Sequence, residues 1–349
     1  MLKAGIKAKV AGKRAKLIFA ALIISVLLLV VLPGCTAEEA EPVHLKVVDL
    51  PYIPFMTFYI AQEEGYFAEQ GLEVEFVKFT SVTQALPLLV QGGLDVAAGS
   101  INAGIFNAIA QDMNIRIVAG RDYIDPDQGN MALVVRKDLY AGGELDTVAE
   151  IKGRQVAISC TACIQDFALT NILENADLTL KDVTVARMTP QDIIAAFTNK
   201  VLGVATVGAL QLGQIKTLGC AEILEPFNDV IPEFQVAYMM FGPTLLEDNP
   251  DTGKKFMVAY LKGVRQYAQG KTERNLEIAL KYTGMDRETL LNSPWPPMYT
   301  DGGIDTQDVL DFQDWAYDSG LVDKKVPIAQ LVDTSLVDYA NDVLGPANN

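Results

Sequence analysis

Short β-type runs alternate with helix-patterned segments along most of this chain, and the alternation starts over partway through. That double rhythm restricts the fold more than any single motif does. Leu45–Leu50 reads as a strand, followed by a Pro-rich loop with Pro51 and Pro54. From Thr57 to Gln70 the apolar residues Phe58, Ile60, Ala61, Tyr66 and Phe67 recur at helical spacing, and Gly71 stands where a left-handed helix terminator belongs. Leu72–Phe79 reads as strand. Ser81, Val82, Thr83 and Gln84 have the pattern of a capping box opening a helix to about Val90. Asp95–Ala98 follows as a short buried strand, Ala103–Gln111 as helix and Ile115–Ala119 as strand.

The second series begins with strand Met131–Arg136, a short helix Thr147–Ile151 and strand Gln155–Ser159. It continues with helix Ile164–Asn175, strand Val183–Arg187, a Pro-started helix Thr189–Asn199, and the runs Leu202–Val207 and Ala221–Leu224. After a return strand, Gln235–Phe241, the pattern is mainly helical: Pro250–Gln269, Asn275–Thr283, Thr306–Ser319 and Ser335–Leu344. Such alternation builds mostly parallel sheets with helices on both faces. The expected architecture is α/β, two lobes joined by two crossing strands, with a helical C-terminal portion. Residues 45–130 form the first part of lobe 1, 131–241 lobe 2, and 242–349 the second part of lobe 1.

The N-terminus carries an address rather than a folded element. Six basic residues (Lys3, Lys7, Lys9, Lys13, Arg14, Lys16) precede an apolar run from Leu17 to Leu32 and then Pro33-Gly34-Cys35. A cationic stretch, an apolar core and small residues make a secretory signal, here 1–34. Leu32-Pro33-Gly34-Cys35 resembles the lipobox of bacterial lipoproteins, which implies lipidation of Cys35 and a tether over 35–44; the alternative is an uncleaved membrane anchor. Removing residues 1–34 takes away six basic residues and no acidic one, so the formal net charge moves from −16 to −22. A surface that acidic repels phosphate backbones, which excludes nucleic acid as a partner.

His44 is the only histidine and lies at the edge of the tether, which disfavours catalytic triads and His-ligated metals. With Cys35 lipidated, Cys160, Cys163 and Cys220 remain, giving one disulfide plus a thiol or three thiols. The expectation is free thiols at a cleft wall, with a local or Cys220-linked disulfide as the alternative. Strand, Cys160-Thr161-Ala162-Cys163, then helix is also the layout of a thioredoxin-like redox motif, which keeps a thiol–disulfide oxidoreductase as a distant rival. No P-loop, dinucleotide fingerprint or Gly-x-Ser-x-Gly is present. Asp122, Asp125 and Asp127 invite a calcium site but lack the alternating ligands and glycine of a calcium loop, so a solvated acidic loop is expected.

The run from Phe58 to Val74, FYIAQEEGYFAEQGLEV, resembles the opening signature of the NMT1/THI5-like solute-binding proteins. These serve ABC importers for nitrate, sulfonates, taurine and thiamine-pyrimidine precursors. Gln91–Ala97, Ile151–Ala157 and Leu331–Ser335 match in the same order. The resemblance implies a type II periplasmic-binding-protein-like fold with a ligand cleft between the lobes, a small-molecule ligand, an ABC permease partner, a monomer, and neither a cofactor nor catalysis. Where family members carry an Asp-Ala step and then Glu-Pro, this chain has Gly203 and Ala209-Leu210, so that acidic contact is not carried over.

In open α/β sheets ligands bind where loops and helix N-termini converge at the carboxyl ends of strands. Three such loops supply the candidates: Phe55, Thr57 and Phe58; Ser100, Ile101 and Asn102; Cys160, Thr161 and Ala162. Arg187 and Thr206 join from lobe 2. Each has a plainer reading: the rings as core, Ser100 and Asn102 as helix caps, Arg187 as a surface arginine. Trp295 is expected to anchor a loop. The aromatic first loop and the missing acidic position favour a heteroaromatic vitamin or precursor, a pyrimidine or riboflavin-like compound; a sulfonate, taurine or nitrate is the alternative.

Overall fold

The structure, a computed structural model, describes residues 41–50 and 52–347. The expected signal segment 1–34, Cys35 and most of the expected tether therefore lie outside the described residues. Among those described, no helix is long and apolar enough to cross a membrane.

Two five-stranded sheets organise the chain. The first has the order β2-β1-β3-β10-β4, with β1 Val43–Asp49, β2 Leu72–Lys78, β3 Val96–Ser100, β4 Arg116–Gly120 and β10 Ala237–Phe241. The second has the order β7-β6-β8-β5-β9, with β5 Met131–Arg136, β6 Gln155–Ile158, β7 Thr184–Arg187, β8 Val204–Gly208 and β9 Ala221–Pro226. In each sheet four strands run in one direction, while the strand that has crossed from the other lobe runs antiparallel to both its neighbours. The return strand β10 thus belongs to the first sheet, so the second lobe's sheet ends at Pro226 rather than near 241.

The crossing segments, 121–130 and 227–236, pair with each other. Arg121 N donates to Ala237 O at 3.0 Å, Val236 N to Asp122 O at 2.9 Å and Ile124 N to Phe234 O at 2.9 Å. These bonds satisfy backbone that would otherwise be orphaned between two domains.

Local chemistry explains most helix boundaries. Thr189 caps Pro190–Thr198 through Asp192 N, and Pro190 at the first position needs no hydrogen-bond partner for its nitrogen. Thr147 and Glu150 form a capping box, but the turn it opens, Val148–Ile151, is a 3-10 helix. The expected box at Ser81 is absent: Gln84 Oε1 instead accepts from Thr80 N at 3.4 Å and Thr80 Oγ1 at 2.9 Å. The single helix expected over Thr57–Gln70 is two, Met56–Glu63 and Tyr66–Glu69, because Gly65 adopts φ 76° between them.

Helix Ala209–Leu218 escapes the periodicity reading because apolar residues surround it, and it is buried at Ala209, Leu210, Gln211, Leu212, Gly213 and Ile215. Gly213 admits close contact with Ser293 just past helix Arg287–Asn292, where a Cβ would stand 1.9 Å from Ser293 Oγ. The C-terminal portion therefore touches lobe 2 as well as lobe 1. In lobe 1, helix Pro250–Tyr267 packs its face bearing Phe256 and Tyr260 against Phe58. Trp295 stacks on Tyr267 and donates to its carbonyl at 3.0 Å, a loop anchor as expected.

Candidate functional site

A cavity of about 1170 Å³ lies between the two sheets. Lobe 1 contributes Leu50, the turn Tyr52–Phe55, the stretch Phe79–Gln84 and residues around Ser100 and Asn102. Lobe 2 contributes Ser159–Gln165, Arg187–Asp192 and Gly208–Gln211. The crossing segments close the inner end with Arg121, Asp122, Asn130 and Val236.

The loop placement follows from the fold. Five helices begin at this wall, and their N-cap residues Ser81, Asn102, Cys163, Thr189 and Gly208 all line it. Three caps consume donors of their own first turns: Asn102 takes Gly104 N, Cys163 Sγ takes Gln165 N and Thr189 takes Asp192 N. Ser81 and Gly208 make no such bond, so their helices offer first-turn N–H groups to the cavity.

Of the sequence candidates, the cavity wall brings together Phe55, Ser100, Asn102, Cys160, Thr161, Ala162 and Arg187. Thr57, Phe58, Ile101 and Thr206 are not part of it and have no exposed surface. The reason for the first pair is the 3-10 turn Ile53–Phe55, started by Pro54, which runs into the helix at Met56. It leaves Phe55 at the wall and turns Phe58 into the core among Phe55, Phe256 and Tyr260. Thr57 Oγ1 donates to Pro54 O at 3.0 Å. Ile101 follows β3, its N–H donating to Val236 O at 2.9 Å, and Thr206 lies within β8 opposite Leu133 of β5. Asn102 is occupied as a cap, its Nδ2 also donating to Ser100 O at 3.0 Å.

Cys160 and Cys163 are joined in a disulfide, with Cα atoms 6.0 Å apart, and Cys220 is free. This corrects the expectation of three thiols. Ala162, at φ 49°, makes the tight turn that brings the two sulfurs together. The same turn meets the other lobe: Ala103 N donates to Ala162 O at 2.9 Å, and Asn102 and Cys163 form an isolated antiparallel bridge.

Arg187 is not a free cation. Its Nη1 donates to Cys160 O, and Nη2 lies 3.2 Å from Asp166 Oδ2. Burial pushes the Asp166 carboxyl above its ordinary range, with the guanidinium pulling it back. A residue that sequence reading missed is Arg121, which is buried with Phe55 4.5 Å and Phe58 5.0 Å from its guanidinium carbon. The signal that could have found it is a basic residue directly beyond the carboxyl end of β4, where loops converge. Beside it, Asp122 is a buried hinge residue rather than part of a solvated acidic loop, and burial raises its carboxyl to about 6. Asp125 Oδ1 accepts from Asp127 N and Gln128 N, which makes it a turn cap. No group of three or more His, Cys, Asp or Glu among the described residues is placed to hold a metal ion.

Two α/β lobes around a ligand-sized cleft, joined at paired crossing strands, define the two-lobe class of periplasmic binding proteins. Residues 53–273 match the family described as NMT1/THI5 like, and the chain belongs to that family. A Brucella abortus protein described as a binding protein is 24% identical over 272 residues, 76% of this chain and 78% of its own. The nitrate-binding protein NrtA of Synechocystis shares the fold with a TM-score of 0.72 at 14% identity, over 88% of this chain and 90% of that one. The aliphatic sulphonate-binding protein SsuA of Escherichia coli does so with a TM-score of 0.66 at 18% identity, over 84% and 92%. The desulfurization enzyme DszB also has this fold, with a TM-score of 0.64 at 10% identity over 86% and 99%, so the fold alone does not separate binder from enzyme.

Proposed function

We propose that this chain is the extracytoplasmic solute-binding component of an ABC importer, tethered through a lipidated Cys35, and that it captures a small heteroaromatic vitamin or precursor between its lobes. The observation that carries the ligand class is the charge balance of a large cavity. About 1170 Å³ far exceeds what a nitrate ion fills, and it lies just above the usual range of small-molecule pockets, about 300–1,000 Å³. Both arginines on the wall stand beside carboxylates, Arg187 by Asp166 and Arg121 by Asp122. Tyr52, Ile53, Phe55, Phe79 and Val82 supply an apolar flank for a flat ring. No covalent step is assigned to the site.

The uncapped helix starts at Ser81 and Gly208 favour a second reading, a sulfonate, taurine or nitrate, since first-turn N–H groups suit oxyanions. Thiol–disulfide exchange is the weakest rival, because Cys163 is buried and its sulfur caps a helix. A thermal-shift panel on the chain from Thr36 onward decides the ligand class, using pyrimidines, riboflavin, taurine, alkylsulfonates and nitrate. A ligand at 100 times its dissociation constant adds about 2.7 kcal/mol. Shifts confined to ring compounds are expected; shifts confined to the anions would overturn the ring assignment.

A further inference from the structure

Helix Thr306–Asp318 reaches both lobes, a crossing segment and, through the turn after it, the wall of the cavity. Its first turn holds the crossing segment at Gln235, a residue with no exposed surface. Gln235 N donates to Asp308 Oδ2 at 2.7 Å, while its side chain accepts from Asp305 N at 2.9 Å and donates to Gly303 O at 2.9 Å. The middle of the helix holds the lobes. Phe312 stacks on Phe106 of lobe 1 with ring centroids 5.8 Å apart. The Phe167 ring of lobe 2 lies 5.9 Å from Phe312, 5.5 Å from Trp315 and 5.1 Å from Phe234 of the crossing segment. Past the last turn, Leu321 lines the cavity and is tied to lobe 1 by Asn107 Nδ2, which donates to Leu321 O at 2.9 Å.

Two crossing strands alone would leave the angle between the lobes to the backbone freedom of a few residues. A third connection through packed rings restricts it, because close-packed side chains hold discrete arrangements rather than deform continuously. The cores reflect this. The cluster that contains Val134, Phe197 and Leu212 is confined to lobe 2, whereas the one that contains Phe167 is continuous with the core of lobe 1. Phe167 also stands one turn into helix Ile164–Asn175, whose N-cap Cys163 and first residues Ile164 and Gln165 line the cavity. Cavity wall and ring therefore move as one lever. Trp315 Nε1 is buried without a hydrogen-bond partner, a cost that water would relieve once the two helices parted. Ring packing favours the seated arrangement and the indole N–H opposes it, which suits a joint that has to move. We propose that helix Thr306–Asp318 is a splint that sets the angle between the lobes, with Phe167 as the ring on which lobe 2 pivots.

A pair of nitroxide labels measures that angle. In the chain from Thr36 onward, Cys220→Ser removes the free thiol. Leu88→Cys in lobe 1 and Val201→Cys in lobe 2, at positions 40% and 76% exposed, take the labels. Dipolar spectroscopy on frozen protein without ligand then gives the separation between the lobes. Phe167→Ala should broaden that distribution and shift its mean by about 2 Å or more. Phe167→Leu, which keeps apolar bulk and loses the ring, should do so less. Phe197→Ala is the control, since Phe197 is also a buried ring but belongs to the cluster confined to lobe 2. It should lower the thermal midpoint about as much and leave the distribution as in the parent. Parent-like distributions in both Phe167 variants overturn the splint, as does equal broadening by Phe197→Ala. Where an alanine variant does not fold, Phe167→Leu against Phe197→Leu decides by the same criterion. The measurement needs no ligand, so either result leaves the solute-binding reading where it stands.

Discussion

Cutting the Cys160–Cys163 bond should loosen the cavity wall by a calculable amount. The bond closes a four-residue loop, 160 to 163. In the chain-entropy model a loop that short restrains the unfolded chain by about 2 kcal/mol, near the low end for disulfides. Two native consequences modify this figure. Cys163 Sγ accepts from Gln165 N at 3.4 Å as the N-cap of helix Ile164–Asn175, and a serine hydroxyl caps better than a thiol. Cys160→Ser with Cys163→Ser therefore loses the cross-link while strengthening the cap, for a net cost of about 1–2 kcal/mol. Cys160→Ser with Cys163→Ala loses both, and should cost about 1 kcal/mol more. At about 2–4 °C per kcal/mol or somewhat less for a chain this size, the serine pair lowers the thermal midpoint by a few degrees and the alanine variant by a few more. The freed turn also carries Ala162 O, which holds Ala103 N of the opposite lobe, so ligand dissociation should quicken in both variants. Scanning calorimetry with and without a phosphine reductant gives the stability, and stopped-flow fluorescence gives the off-rate. A parent whose midpoint ignores the reductant would refute the argument, as would serine and alanine variants of equal stability.

Three further predictions concern groups around the site. Gly263→Ala would place a Cβ 2.3 Å from Thr57 O between helices Met56–Glu63 and Pro250–Tyr267, and overpacking of this kind costs about 1–3 kcal/mol in urea melts; an unchanged midpoint would show that the helices can separate freely. Arg187→Met should destabilise by about 1–3 kcal/mol, discounted because the arginine is half-exposed, and adding Asp166→Asn should recover much of it; a neutral single variant would mean the ion pair is idle and the arginine free to serve an anion. Burial raises Asp122 to about 6, so the folded chain holds its proton longer than the unfolded one, and its contribution falls as pH rises from about 4 to about 6, by about 3 kcal/mol in all. Asp122→Asn should therefore match the parent most closely near pH 4 and gain on it up to pH 7; a constant difference between the two would disprove a raised carboxyl.

The strands and helices that were legible in sequence are those bounded by strong punctuation. Met131–Arg136 and Ile164–Asn175 agree with the structure residue for residue, the first an apolar run ended by a charge and the second framed by a turn and an Asn-Ala-Asp stretch. Ala209–Leu218 was not legible, since a helix buried on nearly every side carries no 3.6-residue alternation. The three loops read from strand ends all reach the cavity wall, but which of their side chains do so was not legible. Phe55 and Phe58 are equally aromatic, and only the Pro54-started turn decides which one reaches the wall. Arg121 and Asp122 look like surface residues by type, because long-range burial is invisible to local pattern. The disulfide depended on the backbone at Ala162, whose left-handed conformation no alanine advertises.

Chain order imposes a timetable on this molecule as it emerges N-terminus first. Every strand of the second sheet lies between Met131 and Pro226, so that sheet can assemble from one continuous stretch. The first sheet cannot, for β10 at Ala237–Phe241 is the strand that links β4 to β3. Until about two-thirds of the chain has been made, β1 to β4 lack the strand that unites them, and their apolar faces stay unsealed. The first lobe to begin is therefore the last to finish. A nascent chain held open in this way remains pliable for an exporting channel, and commitment to the native state is deferred until the return strand arrives.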